Sequence, residues 1–150
     1  MTQTKQRDNQ TELPTTARSL PFALIRAREK VMAPIREMLA DSDITEQQWR
    51  VLRVLSEYGP QDATLLAERA SLLLSSQTRI VQSMLEKGYV TRRANDVDRR
   101  RHTVAITPKG QQIIDAHLEQ AIAIAARFRA VLGHSEFERL LDTLAKLDEL

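Results

Sequence analysis

The sequence predicts a mainly α fold with a small β-hairpin. Apolar residues recur at helical spacing along most of the chain. Only four glycines interrupt it. One stretch just past the middle, the arginine-rich RRANDVDRRRHTVAIT of residues 92–107, ends in the strict alternation of a strand. The 150 residues suffice for one domain with a real core. Residues 1–18 are polar and turn-prone and read as a disordered arm, which leaves 19–150 as a single domain.

The first helix spans about 19–40. Leu20, Leu24, Ile25, Val31, Met32, Ile35, Met38 and Leu39 fall at its spacing, and Pro34 is expected to kink or break it. After Asp41-Ser42-Asp43, Thr45 and Gln48 form a capping box for a helix to about Tyr58, with Trp49, Leu52 and Leu55 on its buried side. Gly59-Pro60 ends that helix. Asp62 is placed to cap a short helix over 63–70. A tight turn at 71–74 leads into a helix that starts at Ser75 or Ser76 and ends at Lys87-Gly88. Ile80, Val81, Met84 and Leu85 form its apolar face, opposite Ser76, Gln77, Arg79, Gln82 and Ser83.

Tyr89 to Ala94 reads as extended. His102, Val104 and Ile106 alternate with Thr103, Ala105 and Thr107. The two strands make a hairpin with arginines at its tip. Thr107-Pro108 is an N-cap followed by proline at the first helical position, opening a long helix to about Leu132. Gly133 stops it, and Ser135 with Glu138 suggests a capping box for a last helix bearing Phe137, Leu140, Leu141, Leu144 and Leu147.

Charge points to a partner. The net charge is +2, yet eight basic and three acidic residues lie between Arg69 and Arg101, so the rest of the chain is net acidic. A basic block in an acidic chain suits a polyanion, although a solvated basic face is the alternative. Two short helices joined tightly, the second with a polar face, form a helix-turn-helix, and the hairpin adds a wing. A helix fits the major groove of B-DNA, where glutamine pairs with adenine and arginine with guanine. An arginine on a hairpin can enter a narrow minor groove.

Several classes are disfavoured. There is no cysteine, so disulfides and thiolate metal sites are excluded, and His102, His117 and His134 lack metal-ligand spacing. No metal and no cofactor are therefore expected. No Ser-His-Asp set, phosphate loop or carboxylate cluster suggests an enzyme, so no catalytic residue is assigned. There is no apolar run of about 18 residues and no signal peptide, so a cytoplasmic protein without a membrane partner is expected. A helical adaptor for other proteins would explain the apolar helices but not the arginine-tipped hairpin. An RNA-binding winged helix is a further alternative.

The segments TEQQWRVLRVL (45–55), LLAERASLLLSSQTRIVQSMLEKGYVTRR (65–93) and DRRRHTVAITPKG (98–110) resemble the MarR-type winged-helix transcription regulators. AREKVM (27–32) with ITEQQWR (44–50) is most similar to regulators of homoprotocatechuate (4-hydroxyphenylacetate) degradation. The resemblance implies a homodimer whose dimerisation helices lie at 19–44 and 108–150, around a winged helix-turn-helix unit at 45–107. It implies a pseudo-palindromic double-stranded operator. Ser75, Ser76, Gln77, Arg79 and Gln82 would meet its major groove, and Arg99, Arg100 and Arg101 its backbone and minor groove. One departure is Val97, which stands where family wings often carry an arginine; Asp98 would pair with a wing arginine.

Arg28 lies on the apolar stripe of the first helix, where an unpaired charge would be costly if buried. The resemblance implies a small aromatic carboxylate as effector, with its carboxylate on Arg28 and its ring near Met32 and Trp49. An ion pair with a partner chain, or an arginine reaching to water, is the alternative. The expected function is a repressor of an aromatic-acid catabolic operon that such a carboxylate releases from DNA.

Overall fold

The computed structural model describes residues 12–150. Residues 1–11 of the expected disordered arm lie outside that range. Thr16–Arg18, also assigned to the arm, instead form one 3-10 turn, onto whose Thr16 and Ala17 carbonyls Arg26 donates. Two compact units divide the chain, Met1–Ala33 and Pro34–Leu150. The boundary falls inside the first helix, α1 (Leu20–Leu39); of the kink or break expected at Pro34, no break occurs.

The second unit holds the rest: α2 (Glu46–Tyr58), β1 (Gln61–Asp62), α3 (Ala63–Arg69), α4 (Leu74–Glu86), β2 (Val90–Ala94), β3 (His102–Ile106), α5 (Pro108–Leu132), α6 (His134–Ala145) and a closing 3-10 turn (Lys146–Glu149). Three helices start where local side-chain chemistry predicts. Thr45 and Gln48 exchange both bonds of a capping box at α2. Asp62 accepts the Leu65 N–H at 2.9 Å at α3, and Thr107 accepts the Gly110 N–H at 3.1 Å at α5. At α6 the expected box is absent. The helix begins two residues early, with Gly133 at φ +80° as its N-cap, and Ser135 lies within the first turn.

The sheet is antiparallel in the order β1-β3-β2. Val90 faces Ile106 and Ala94 faces His102, while β1, too short for an alternation pattern, pairs Gln61 with Val104. The core gathers Trp49, Leu52 and Leu55 of α2 with Leu66, Val81, Met84, Val90, Val104 and Ile114. Leu52, Leu55, Leu66 and Met84 are fully buried. Gly110 sits where the start of α5 crosses the strands, so that a Cβ there would collide with the Tyr89 carbonyl.

Candidate nucleic-acid interface

The turn between α3 and α4 is held from below. Ser71 takes the left-handed φ of +54°, which is uncommon outside glycine. Arg50 of α2 donates through Nη1 to the carbonyls of Ala70 at 2.9 Å and Ser71 at 2.8 Å, while its Nε pairs with Glu46 Oε2 at 3.0 Å. One guanidinium thus fastens the turn to the core helix. Leu72 packs against the core, and the chain then re-enters helix at Leu74, one residue before the expected start.

On α4, Ser75, Arg79 and Gln82 are exposed, and so is Thr78, which polarity alone did not single out. Ser76 is half-buried. Ser75, Ser76, Arg79 and Ile80 line a cavity of about 320 Å³ together with Gln47 of α2, a residue that carries no signal in the sequence. The Gln82 amide reaches Glu86 Oε1 at 3.4 Å, a long bond that a base edge can displace.

Gln77, expected at the major groove, is instead buried. It is 2% exposed, and its Nε2 donates to the Ala63 carbonyl at 2.8 Å. Its side chain points into the α3–α4 junction, so it cannot touch a base edge from this position. Ser83, expected on the polar face, is half-buried and accepts from Gln48 Nε2 at 3.3 Å.

The wing tip is built by two short side chains. Asn95 Oδ1 accepts the Val97 N–H at 2.8 Å, and Asp98 Oδ1 accepts the Arg100 N–H at 3.1 Å. Asp98 therefore shapes the turn through the Arg100 backbone N–H, in place of the expected arginine side chain. Arg99, Arg100 and Arg101 are all exposed, with Arg92 and Arg93 exposed on β2 behind them. Arg101 Nη1 lies 3.9 Å from Asp62 Oδ2, linking the wing to the cap of α3. Val97 projects from the tip, 97% exposed.

A second feature lies on the other side of α2. Trp49, Arg53, Ser56 and Glu57 line a cavity of about 350 Å³ against Ile114, Leu118, Ala121, Ile122 and Ala125 of α5. Its floor is apolar, and Arg53 and Glu57 supply one charge of each sign. Trp49 meets His117 edge-on, with ring centroids 5.8 Å apart, and His117 Nδ1 lies 2.7 Å from the Ile113 carbonyl. Of the trio expected for an acid, only Trp49 lines this cavity. Arg28 is exposed and Met32 half-buried in the other unit, and the cation beside Trp49 is Arg53. Arg53 follows Trp49 by one helical turn, a spacing visible in sequence, but its cavity requires α5 to be in place.

Among the described residues no group of three acidic, histidine or cysteine side chains could hold a metal, and no helix is long and apolar enough to cross a membrane.

The MarR family pattern matches residues 44–102. A transcriptional regulator of Neisseria gonorrhoeae, FarR, is 33% identical over 140 residues, covering 92% of this chain and 96% of its own. The homoprotocatechuate degradative operon repressor of Escherichia coli is 36% identical over 116 residues, 75% of this chain and 78% of its own. Among solved structures, NadR in complex with 4-hydroxyphenylacetate superimposes with a TM-score of 0.77 at 34% identity, covering 90% of this chain and 97% of that one.

Proposed function

The chain belongs to the MarR family of DNA-binding transcriptional regulators, and from that premise we propose that it represses an aromatic-acid catabolic operon and is released from DNA by a small aromatic carboxylate. The carrying observation is the cavity lined by Trp49 and Arg53. Its volume of about 350 Å³ falls in the lower range of small-molecule sites, and its apolar wall against α5 suits a ring. Arg53 has the fork geometry that takes a carboxylate in bidentate fashion. Glu57 and Ser56 offer acceptors for a ring hydroxyl. The similarity to a repressor of homoprotocatechuate degradation and to a structure holding 4-hydroxyphenylacetate supports the same ligand class.

The DNA-binding form is a homodimer on a pseudo-palindromic duplex. Large apolar side chains stand exposed on α5 and α6, among them Leu118, Ile122, Leu140 and Leu141, and a second copy is the usual means of covering such a surface. Ser75, Ser76, Arg79 and Gln82 face the major groove, and Arg99, Arg100 and Arg101 the backbone and minor groove. The cavity is walled by α2, which also holds the α3–α4 turn through Arg50, and by α5. A ligand there favours one setting of α2 against α5. It thereby shifts the dimer toward a spacing of reading helices that mismatches half-sites one DNA turn apart.

Calorimetric titration with 4-hydroxyphenylacetate tests the reading. Binding by the wild-type protein and by Arg28→Ala, with at least tenfold loss in Arg53→Ala, is the expected result. Equal binding by wild type and Arg53→Ala would overturn the site, and no release of operator at saturating acid would overturn the regulatory mechanism.

A further inference from the structure

We propose that Leu73 and Leu74 read thymine in the operator through van der Waals contact with its C5 methyl group. The inference rests on α4 being the helix that enters the major groove, and it adds an apolar element to a polar reading surface.

The observation is a local violation of helix chemistry. Thr45, Asp62 and Thr107 cap their helices with side-chain oxygens, whereas Leu73 occupies the N-cap of α4 and makes no side-chain cap bond. Its φ of −68° and ψ of 137° are those of a cap residue, so the backbone is ready for a serine or aspartate that the sequence does not supply. Leu73 is 74% exposed and Leu74 is 54% exposed. Two adjacent leucines facing water give up a cap and gain no burial. Breaches of this kind concentrate where function requires them.

The surroundings define what they meet. Leu74 is followed directly by Ser75, and Arg79 lies on the same cavity wall as Ser75 and Ser76. The leucines thus stand at the start of the helix that carries those side chains. They are also held in place. Leu72 packs on the core, and Arg50 grips the Ala70 and Ser71 carbonyls immediately before them. A side chain on so fixed a turn can discriminate position. Of the base edges in the major groove, only thymine offers an apolar group, its C5 methyl, and a leucine has no donor or acceptor with which to read any other.

The test begins with the full-length protein and an operator selected from random duplexes. Each thymine is replaced singly by deoxyuridine, which removes the methyl and leaves the base pair unchanged. One or two thymines per half-site should each weaken binding on the order of fourfold, the worth of one buried methyl. Leu73→Ala and Leu74→Ala should each bring the thymine-to-deoxyuridine ratio to about one at the position that leucine reads, with other thymines unaffected. Both side chains lie outside the core, so thermal unfolding of the variants should match the wild type. Deoxyuridine effects that are absent, or that persist in both variants, would overturn the proposal, as would a selected half-site containing no thymine. In each of those cases the wild type still binds duplex DNA; failure to bind any duplex at low salt would instead overturn the groove reading itself.

Discussion

Gln77 Nε2 donates to the Ala63 carbonyl at 2.8 Å, so a glutamine in the first turn of α4 ties that helix to the first residue of α3. Its Oε1 is buried with no hydrogen-bond partner among the described residues, which makes the tie imperfect. Gln77→Ala removes the bond and opens a void, and should cost about 2–3 kcal/mol of stability. Gln77→Met keeps the volume and removes the unsatisfied oxygen, and should be neutral within about 1 kcal/mol. Urea unfolding measures both. In DNA selections neither variant should change which base is preferred, because the side chain does not reach the groove.

Salt dependence separates the wing arginines. Both Arg99 and Arg101 are exposed, but Arg101 lies 3.9 Å from Asp62 Oδ2. Arg99→Ala should weaken binding to all duplexes alike. It should lower the slope of log affinity against log salt by about 0.9 for each phosphate that is no longer neutralised, hence about 2 for the two wings of a dimer. Arg101→Ala should change the slope less, because Asp62 already offsets part of its charge. Asp62→Ala is a different experiment: it removes the cap of α3 and should cost about 1 kcal/mol, measured by thermal unfolding.

Tyr89 sets an alkaline limit. Burial first, and the Asp43 carboxylate second, raise its hydroxyl pKa above the ordinary 10.0. The folded protein therefore holds this proton at pH values where the unfolded chain has released it. The stability linked to Tyr89 is fully present below pH 10.0 and is lost as pH rises through the folded-state value. Urea midpoints should fall above about pH 10 in the wild type, and the fall should be shallower in Tyr89→Phe.

How much of the molecule is legible in its sequence follows from the range of each interaction. The caps at Thr45, Asp62 and Thr107 are side chains bonding backbone three residues away, and such signals are complete within a short window. Ser135 with Glu138 carries the same pattern, but Gly133 already ends α5 and starts α6 through its own N–H and carbonyl. Polarity puts Gln77 in the groove, whereas spacing puts it inside: it precedes the buried Val81 and Met84 by four and seven residues, on the inner stripe. β1 has two residues and no periodicity to read. The cavity cation is a tertiary fact. Nothing within α2 distinguishes Arg53 from any solvated arginine until α5 lies beside it.

The start of α4 offers the sharpest trade between stability and recognition. Leu73→Asp places a carboxylate where the backbone already has cap geometry, next to N–H groups and the positive end of the helix dipole. It also removes an exposed leucine. Stability should rise by about 1 kcal/mol, read from urea unfolding. Binding should weaken at least tenfold, because the same carboxylate meets the phosphate field of the duplex and the apolar contact is gone. Leu73→Ser divides the two causes: it supplies a neutral cap, so it should gain most of the stability and lose only the few-fold of affinity attributed to thymine contact. A Leu73→Ser variant that binds operator as tightly as the wild type would show that the leucine serves no role in recognition. A Leu73→Asp variant no more stable than the wild type would show that the first turn of α4 is already satisfied by water.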